Sequence, residues 1–109
     1  MENTFANITP RCPIRTTLDL LGGKWKLLIL YQLYHGPLRT SELKRKIPEI
    51  SEKMLIQELK VLTINELVVR KNYREVPPRV EYALTEKGQL AMPLIEEMKR
   101  FAEAYTQAV

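Results

Sequence analysis

The stretch that decides the fold is TSELKRKIPEISEKMLIQELKVLTI, residues 40–64. In its second half, from Ser51 to about Ile64, Leu55, Leu59 and Leu62 recur at i, i+4 and i+7, the spacing of a single buried stripe on a helix that Ser51 starts. Lys53, Gln57 and Lys60 fall on the opposite face. The first half predicts a short helix capped by Thr40 or Ser41 and running through Ile47, which Pro48 ends because proline disfavours helical geometry in the residue before it. Two short helices therefore meet across a tight, proline-containing turn.

Downstream, Leu67-Val68-Val69-Arg70-Lys71 and Val80-Glu81-Tyr82-Ala83-Leu84 are β-prone runs. The polar segment from Asn72 to Arg79, with Pro77-Pro78, separates them and predicts a hairpin with a long tip. Thr85 then caps a helix that carries Leu90, Leu94, Ile95, Met98, Phe101, Ala102 and Tyr105 at helical spacing, with Pro93 restarting or kinking it. Upstream, Lys24 to Tyr34 is apolar on nearly every side and reads as the central buried helix, stopped by His35-Gly36-Pro37 and followed by an extended Leu38-Arg39. Pro13 suits the first turn of a short amphipathic helix bearing Ile14, Leu18 and Leu21, which Gly22-Gly23 ends.

Two helices around a tight turn followed by a hairpin make the layout of a winged helix-turn-helix. The expected class is α+β, mainly helical: an N-terminal arm over residues 1–10, then one winged helix-turn-helix domain over 11–109. Within it the helix-turn-helix spans about 40–64, a two-stranded β-hairpin wing about 67–84, and an additional C-terminal helix about 86–107 serves dimerisation. A chain of 109 residues, 45% apolar and 28% charged, suits one globular core. No apolar run approaches the twenty or so residues of a membrane span, and the N-terminus lacks the apolar core of a signal peptide, so a soluble cytoplasmic protein is expected.

Several function classes fall away on composition. A single cysteine, Cys12, and a single histidine, His35, give neither an internal disulfide nor a structural zinc site. With one aspartate, and without a phosphate-cradling glycine loop, metal-ligand spacing or nucleophile elbow, the chain offers for catalysis only a Cys12 and His35 pair, and His35 reads rather as a turn residue before Gly36-Pro37. No cofactor or metal is expected, and the protein reads as a non-enzyme.

Charge points to an anionic partner. The formal net charge is +4, but residues 11–79 hold fourteen basic and seven acidic side chains, whereas the two ends hold three and six. The basic excess thus coincides with the helix-turn-helix and the hairpin. In that layout the second helix buries one stripe and offers the other to the major groove, with base-reading side chains in its N-terminal half. Ser51, Lys53, Met54 and Gln57 are placed for this: Gln57 matches adenine, Lys53 reaches guanine acceptors, and Met54 or Ile56 touches a thymine methyl. Expected phosphate contacts are Lys24 and Arg39, favoured over Lys26, Lys44, Arg45 and Lys46, together with Ser41 and Lys60. Arg70, Lys71, Arg74 and Arg79 gather at the wing, which lies along the backbone or dips an arginine into the minor groove. The plainer alternative is a solvated amphipathic face on a winged-helix module that binds protein without sequence-specific DNA binding. RNA binding would need exposed aromatics, for which Tyr73 is the single candidate.

Six motifs in order, Cys12-Pro13-Ile14-Arg15, Gly22-Gly23-Lys24-Trp25, Gly36-Pro37-Leu38-Arg39, Ile50-Ser51-Glu52-Lys53-Met54-Leu55, Val76-Pro77-Pro78-Arg79-Val80-Glu81-Tyr82 and Leu84-Thr85-Glu86-Lys87-Gly88, resemble the HxlR family of bacterial winged-helix transcriptional regulators over about residues 11–105. The resemblance implies a homodimer on an operator of inverted repeats, repressing by occupying a promoter, with the helix from Ser51 as reader and the hairpin as wing. Three departures stand out. Asn65-Glu66 replaces a common Asp-Gly, so Asn65 is expected to take the left-handed conformation. Thr40-Ser41 stands where Phe-Asn is frequent, and Phe101 near a frequent tryptophan. Some family members answer oxidants, quinones or aldehydes through a cysteine at the position of Cys12, which implies a thiol-reactive or other small-molecule effector. A helix start beside Arg11 and Arg15 would favour its thiolate, while the alternative is a small residue packed near a dimer interface.

Overall fold

A computed structural model describes residues 12–108, so the arm expected over 1–10 and Arg11 lie outside the described residues. Six helices and one hairpin follow in order: α1 (Pro13–Leu21), α2 (Lys26–Leu33), α3 (Thr40–Lys46), α4 (Glu52–Ile64), β1 (Val68–Asn72), β2 (Val80–Leu84), α5 (Glu86–Gln89) and α6 (Met92–Gln107). The core forms around α2, whose Ile29, Leu30 and Leu33 are buried together with Leu43 of α3, Ile47 and Ile50 of the turn, and Leu55, Leu59 and Leu62 of α4. Leu67 and Val68 close it from the wing side. Burial of these side chains is the main favourable term for so small a domain. Among the described residues no helix is long and apolar enough to cross a membrane.

Local chemistry explains most of the boundaries and corrects two expectations. Ser51 caps α4, its hydroxyl accepting the Met54 N–H at 3.0 Å. The cap of α3 is Arg39 and not Thr40 or Ser41: the Glu42 carboxylate reaches back to accept the Arg39 N–H at 2.8 Å, which fixes the start one residue earlier. At the end of α4 the left-handed residue is Glu66 (φ 64°), while Asn65 stays at φ −85° as the C-cap. The reason is the closing motif: Glu66 N–H donates to the Thr63 carbonyl and Leu67 N–H to the Leu62 carbonyl, and this pair of bonds requires the left-handed residue immediately after the cap. Leu62 and Leu67 are both buried beneath the turn, as that motif favours.

The hairpin pairs antiparallel from Val68 with Leu84 to Asn72 with Val80. Leu38 adds a third, one-residue strand on the free side of β2: its N–H donates to the Tyr82 carbonyl at 3.0 Å and its carbonyl accepts from Tyr82 at 2.8 Å. The extended Leu38-Arg39 segment thereby covers an edge that would otherwise be open. Thr85 caps α5 by accepting the Gly88 N–H, and Gly88 lies so close to the Leu67 carbonyl that a Cβ there would collide with it. The C-terminal helical segment is broken: α5 ends at Gln89 and Pro93, in the first turn of α6, restarts it.

Two apolar stripes have no partner among the described residues. On α1 only Leu21 is buried, leaving Ile14 and Leu18 exposed. On α6 only Ile95 is buried, and Leu94, Met98, Phe101 and Tyr105 form an exposed row in which the last two rings stack at 6.2 Å. Lys99 bridges α6 to α2, its ammonium lying 4.8 Å from the Tyr31 ring centroid and bonded to Glu96. Those contacts hold the amine above the usual lysine range, Tyr31 contributing most.

Candidate nucleic-acid interface

The candidate reading helix, α4, is built by its own periodicity. Leu55, Leu59 and Leu62 face the core, so Met54, Glu58 and Val61 flank them half-buried, and Lys53, Ile56, Gln57, Lys60 and Ile64 are left outward along one face. Lys53, Gln57, Lys60 and the exposed Ser51 thus lie where the sequence places them. Met54 does not: it packs against the core, and the outward apolar side chain of that helix half is Ile56, the other residue considered for a thymine methyl. Glu52, exposed in the first turn, adds a carboxylate at the end where the macrodipole favours negative charge.

Neighbouring elements hold this helix on both sides, α3 at one and β1 at the other. A further tie comes from α2, where the Lys26 ammonium lies 2.8 Å from the Glu58 carboxylate with side chains only 17% and 16% exposed. A pair so well shielded from water is hard to break one partner at a time. It brings the start of α2 to the side of α4 and takes Lys26 out of the set of free cations. Lys24, two residues earlier, is exposed, with its ammonium 4.9 Å from the Trp25 ring centroid.

The remaining basic residues divide into free and engaged. Arg39 and Ser41 are exposed at the start of α3, and Arg45 and Lys46 are exposed at its end, while the Lys44 ammonium donates to the Pro48 carbonyl at 3.0 Å. On the wing Arg70, Lys71 and Arg74 are exposed; Arg74 sits at φ 54° with its N–H bound to the Asn72 side chain. Arg79 is engaged. Its guanidinium carbon lies 4.0 Å from the Tyr73 ring centroid and its Nη2 is 3.1 Å from the Glu75 carboxylate. The Tyr73 hydroxyl donates to Glu81 at 3.0 Å, and that bond holds the phenol above the usual tyrosine range. This network was not legible in the sequence, because it depends on the hairpin register.

Other candidate chemistry is sparse. Cys12 is partly buried as the N-cap of α1, its sulfur accepting the Arg15 N–H at 3.4 Å. His35 makes edge-on contacts with Tyr31 and Tyr34. Among the described residues no three histidines, cysteines or carboxylates converge as a metal site.

Proteins similar to this chain are described as transcriptional regulators. The chain is 49% identical over 96 residues to YkvN, an uncharacterized HTH-type transcriptional regulator of Bacillus subtilis strain 168, covering 88% of this chain and 81% of that protein. Its fold matches a protein from Porphyromonas gingivalis W83 described as a MarR-family regulator, with a TM-score of 0.81, 49% identity and coverage of 85% and 91%. It also matches the oxidized form of the redox regulator HypR, with a TM-score of 0.80, 41% identity and coverage of 85% and 96%. The HxlR-like helix-turn-helix model itself matches residues 20–109, and the chain belongs to that family.

Proposed function

We propose that this chain is a sequence-specific DNA-binding transcriptional regulator of the cytoplasm that represses by occupying an inverted-repeat operator as a homodimer. The observation that carries the reading is the outward face of α4, where Lys53, Gln57 and Lys60 are solvent-exposed on a helix locked to the body by its three buried leucines. Ser51, Lys53 and Gln57 read bases, with Ile56 rather than the half-buried Met54 as the apolar contact. Lys24, Arg39, Ser41, Lys60 and Arg74 hold phosphates, and Arg79 serves the wing. Two copies joined through the exposed rows on α1 and α6 would set two reading helices about one turn of DNA apart.

Regulation by a thiol-reactive effector at Cys12 is the accompanying proposal, supported by the likeness to a redox regulator and by the sulfur's place at the start of α1. Gln57→Ala and Lys53→Ala test the reading role. Each should relax base preference at its own position, with a loss of about 1–3 kcal/mol on the specific duplex only. Arg39→Ala should instead weaken specific and scrambled duplexes alike. Equal losses on both duplexes for Gln57→Ala would contradict its role, and a wild-type chain indifferent to DNA would favour a protein-binding module.

A further inference from the structure

The wing carries a closed set of contacts that the phosphate-binding reading does not use. After the last strand pair, Asn72 with Val80, the ladder continues through one more bond, from the Tyr73 N–H to the Arg79 carbonyl at 3.0 Å. Above that bond the Arg79 guanidinium lies on the Tyr73 ring, pairs with Glu75, and has its Nε buried with no partner among the described residues. Glu81 fixes the ring through the Tyr73 hydroxyl. Stacking on the ring and pairing with Glu75 commit one face and one Nη of the Arg79 guanidinium to the wing itself. Arg70, Lys71 and Arg74, by contrast, are exposed and pair with no carboxylate among the described residues.

We propose that Tyr73, Glu75 and Arg79 form a positioning unit that shapes the wing from within, so that Arg79 acts on DNA through the outward Arg70, Lys71 and Arg74 and not by touching a phosphate itself. The proposal rests on the DNA-binding reading above. Chemistry favours arginine for this place, since a planar guanidinium stacks on an aromatic face and holds a carboxylate at once, which a lysine ammonium does less well. The unit also neutralises itself, leaving the free charge of the wing to the outward residues.

Salt dependence separates a positioning arginine from a contacting one, because each lost phosphate contact lowers the slope of log K against log salt by about 1. The full-length protein is titrated with a duplex from upstream of its own gene across a salt series, and amide exchange of the DNA-free wing is followed by NMR. Arg79→Ala and Arg79→Lys should both weaken binding, by about tenfold, with the wild-type slope retained, while Arg74→Ala should lower the slope by about 1. Exchange at the Tyr73 amide should quicken in both Arg79 variants. Tyr73→Leu should reproduce the loss, and the Tyr73→Leu/Arg79→Ala pair should bind no worse than either single variant, as members of one unit do. The proposal is overturned if Arg79→Ala lowers the slope by about 1, if Arg79→Lys restores wild-type affinity, or if wing exchange stays unchanged. A wild-type chain that binds no duplex contradicts the DNA reading itself and the phosphate half of the proposal with it. Unchanged exchange in a chain that does bind overturns the positioning unit alone.

Discussion

At the scale of single residues, backbone geometry is where this chain departs most from what its sequence suggests. Glu66 occupies a left-handed position that a glycine would hold without strain, and its side chain makes only an exposed pair with Lys87 at 2.9 Å. That contact keeps the Glu66 carboxyl below its usual range, through the hydrogen bond first and the charge second. Being open to solvent, it offsets little of the strain. Glu66→Gly should therefore raise the melting temperature by a few degrees, measured by calorimetry at neutral pH. Gly88 gives the opposite sign: Gly88→Ala forces a Cβ onto the Leu67 carbonyl and should destabilise by about 1–3 kcal/mol in a denaturant titration. The sequence pointed to Asn65 for the strained position because Asn65-Glu66 stands where Asp-Gly is common, so the turn loses its glycine and asparagine is a residue that visits the left-handed region. The two bonds that close α4 decide otherwise, and they fix which residue follows the cap regardless of its preference.

At the scale of elements, α4 was the most legible part. Its leucine spacing and the Ser51 cap follow from periodicity and capping chemistry, and both recur in the structure. Ser51→Ala should cost about 1 kcal/mol of stability, and because the cap fixes the first turn, affinity for a specific duplex should fall as well. An unchanged urea midpoint would contradict that reading of the cap. The half-burial of Met54 was not legible in the spacing, since Met54 and Ile56 lie about 100° to either side of Leu55 and the packing of the body on α4 decides which of the two is covered. Less legible were the Arg39 cap, where a carboxylate three residues on replaces the expected hydroxyl, and the Leu38 bridge to Tyr82. The wing network of Tyr73, Glu75, Arg79 and Glu81 lies beyond any local pattern. Its members meet only because the ladder sets Asn72 opposite Val80.

At the scale of the whole molecule, the exposed rows on α1 and α6 are the feature that no contact among the described residues explains. Phe101 and Tyr105 are 71% and 74% exposed, and Ile14 and Leu18 are 73% and 63% exposed. Exposed apolar rows of this kind fit the proposed dimer interface. Phe101→Glu should shift the protein from dimer to monomer by sedimentation while leaving its helical circular dichroism intact, and it should weaken binding to a two-half-site duplex far more than to a single half-site. A variant that remains dimeric would place the interface elsewhere. The central claim, that this molecule reads a DNA sequence, is tested most directly by fluorescence-anisotropy titration of a duplex from upstream of its own gene beside a scrambled duplex, both across a salt series. The account predicts steeply salt-dependent binding that favours the natural sequence by about a thousandfold or more. Weak binding, equal on both duplexes at every salt concentration, would contradict it.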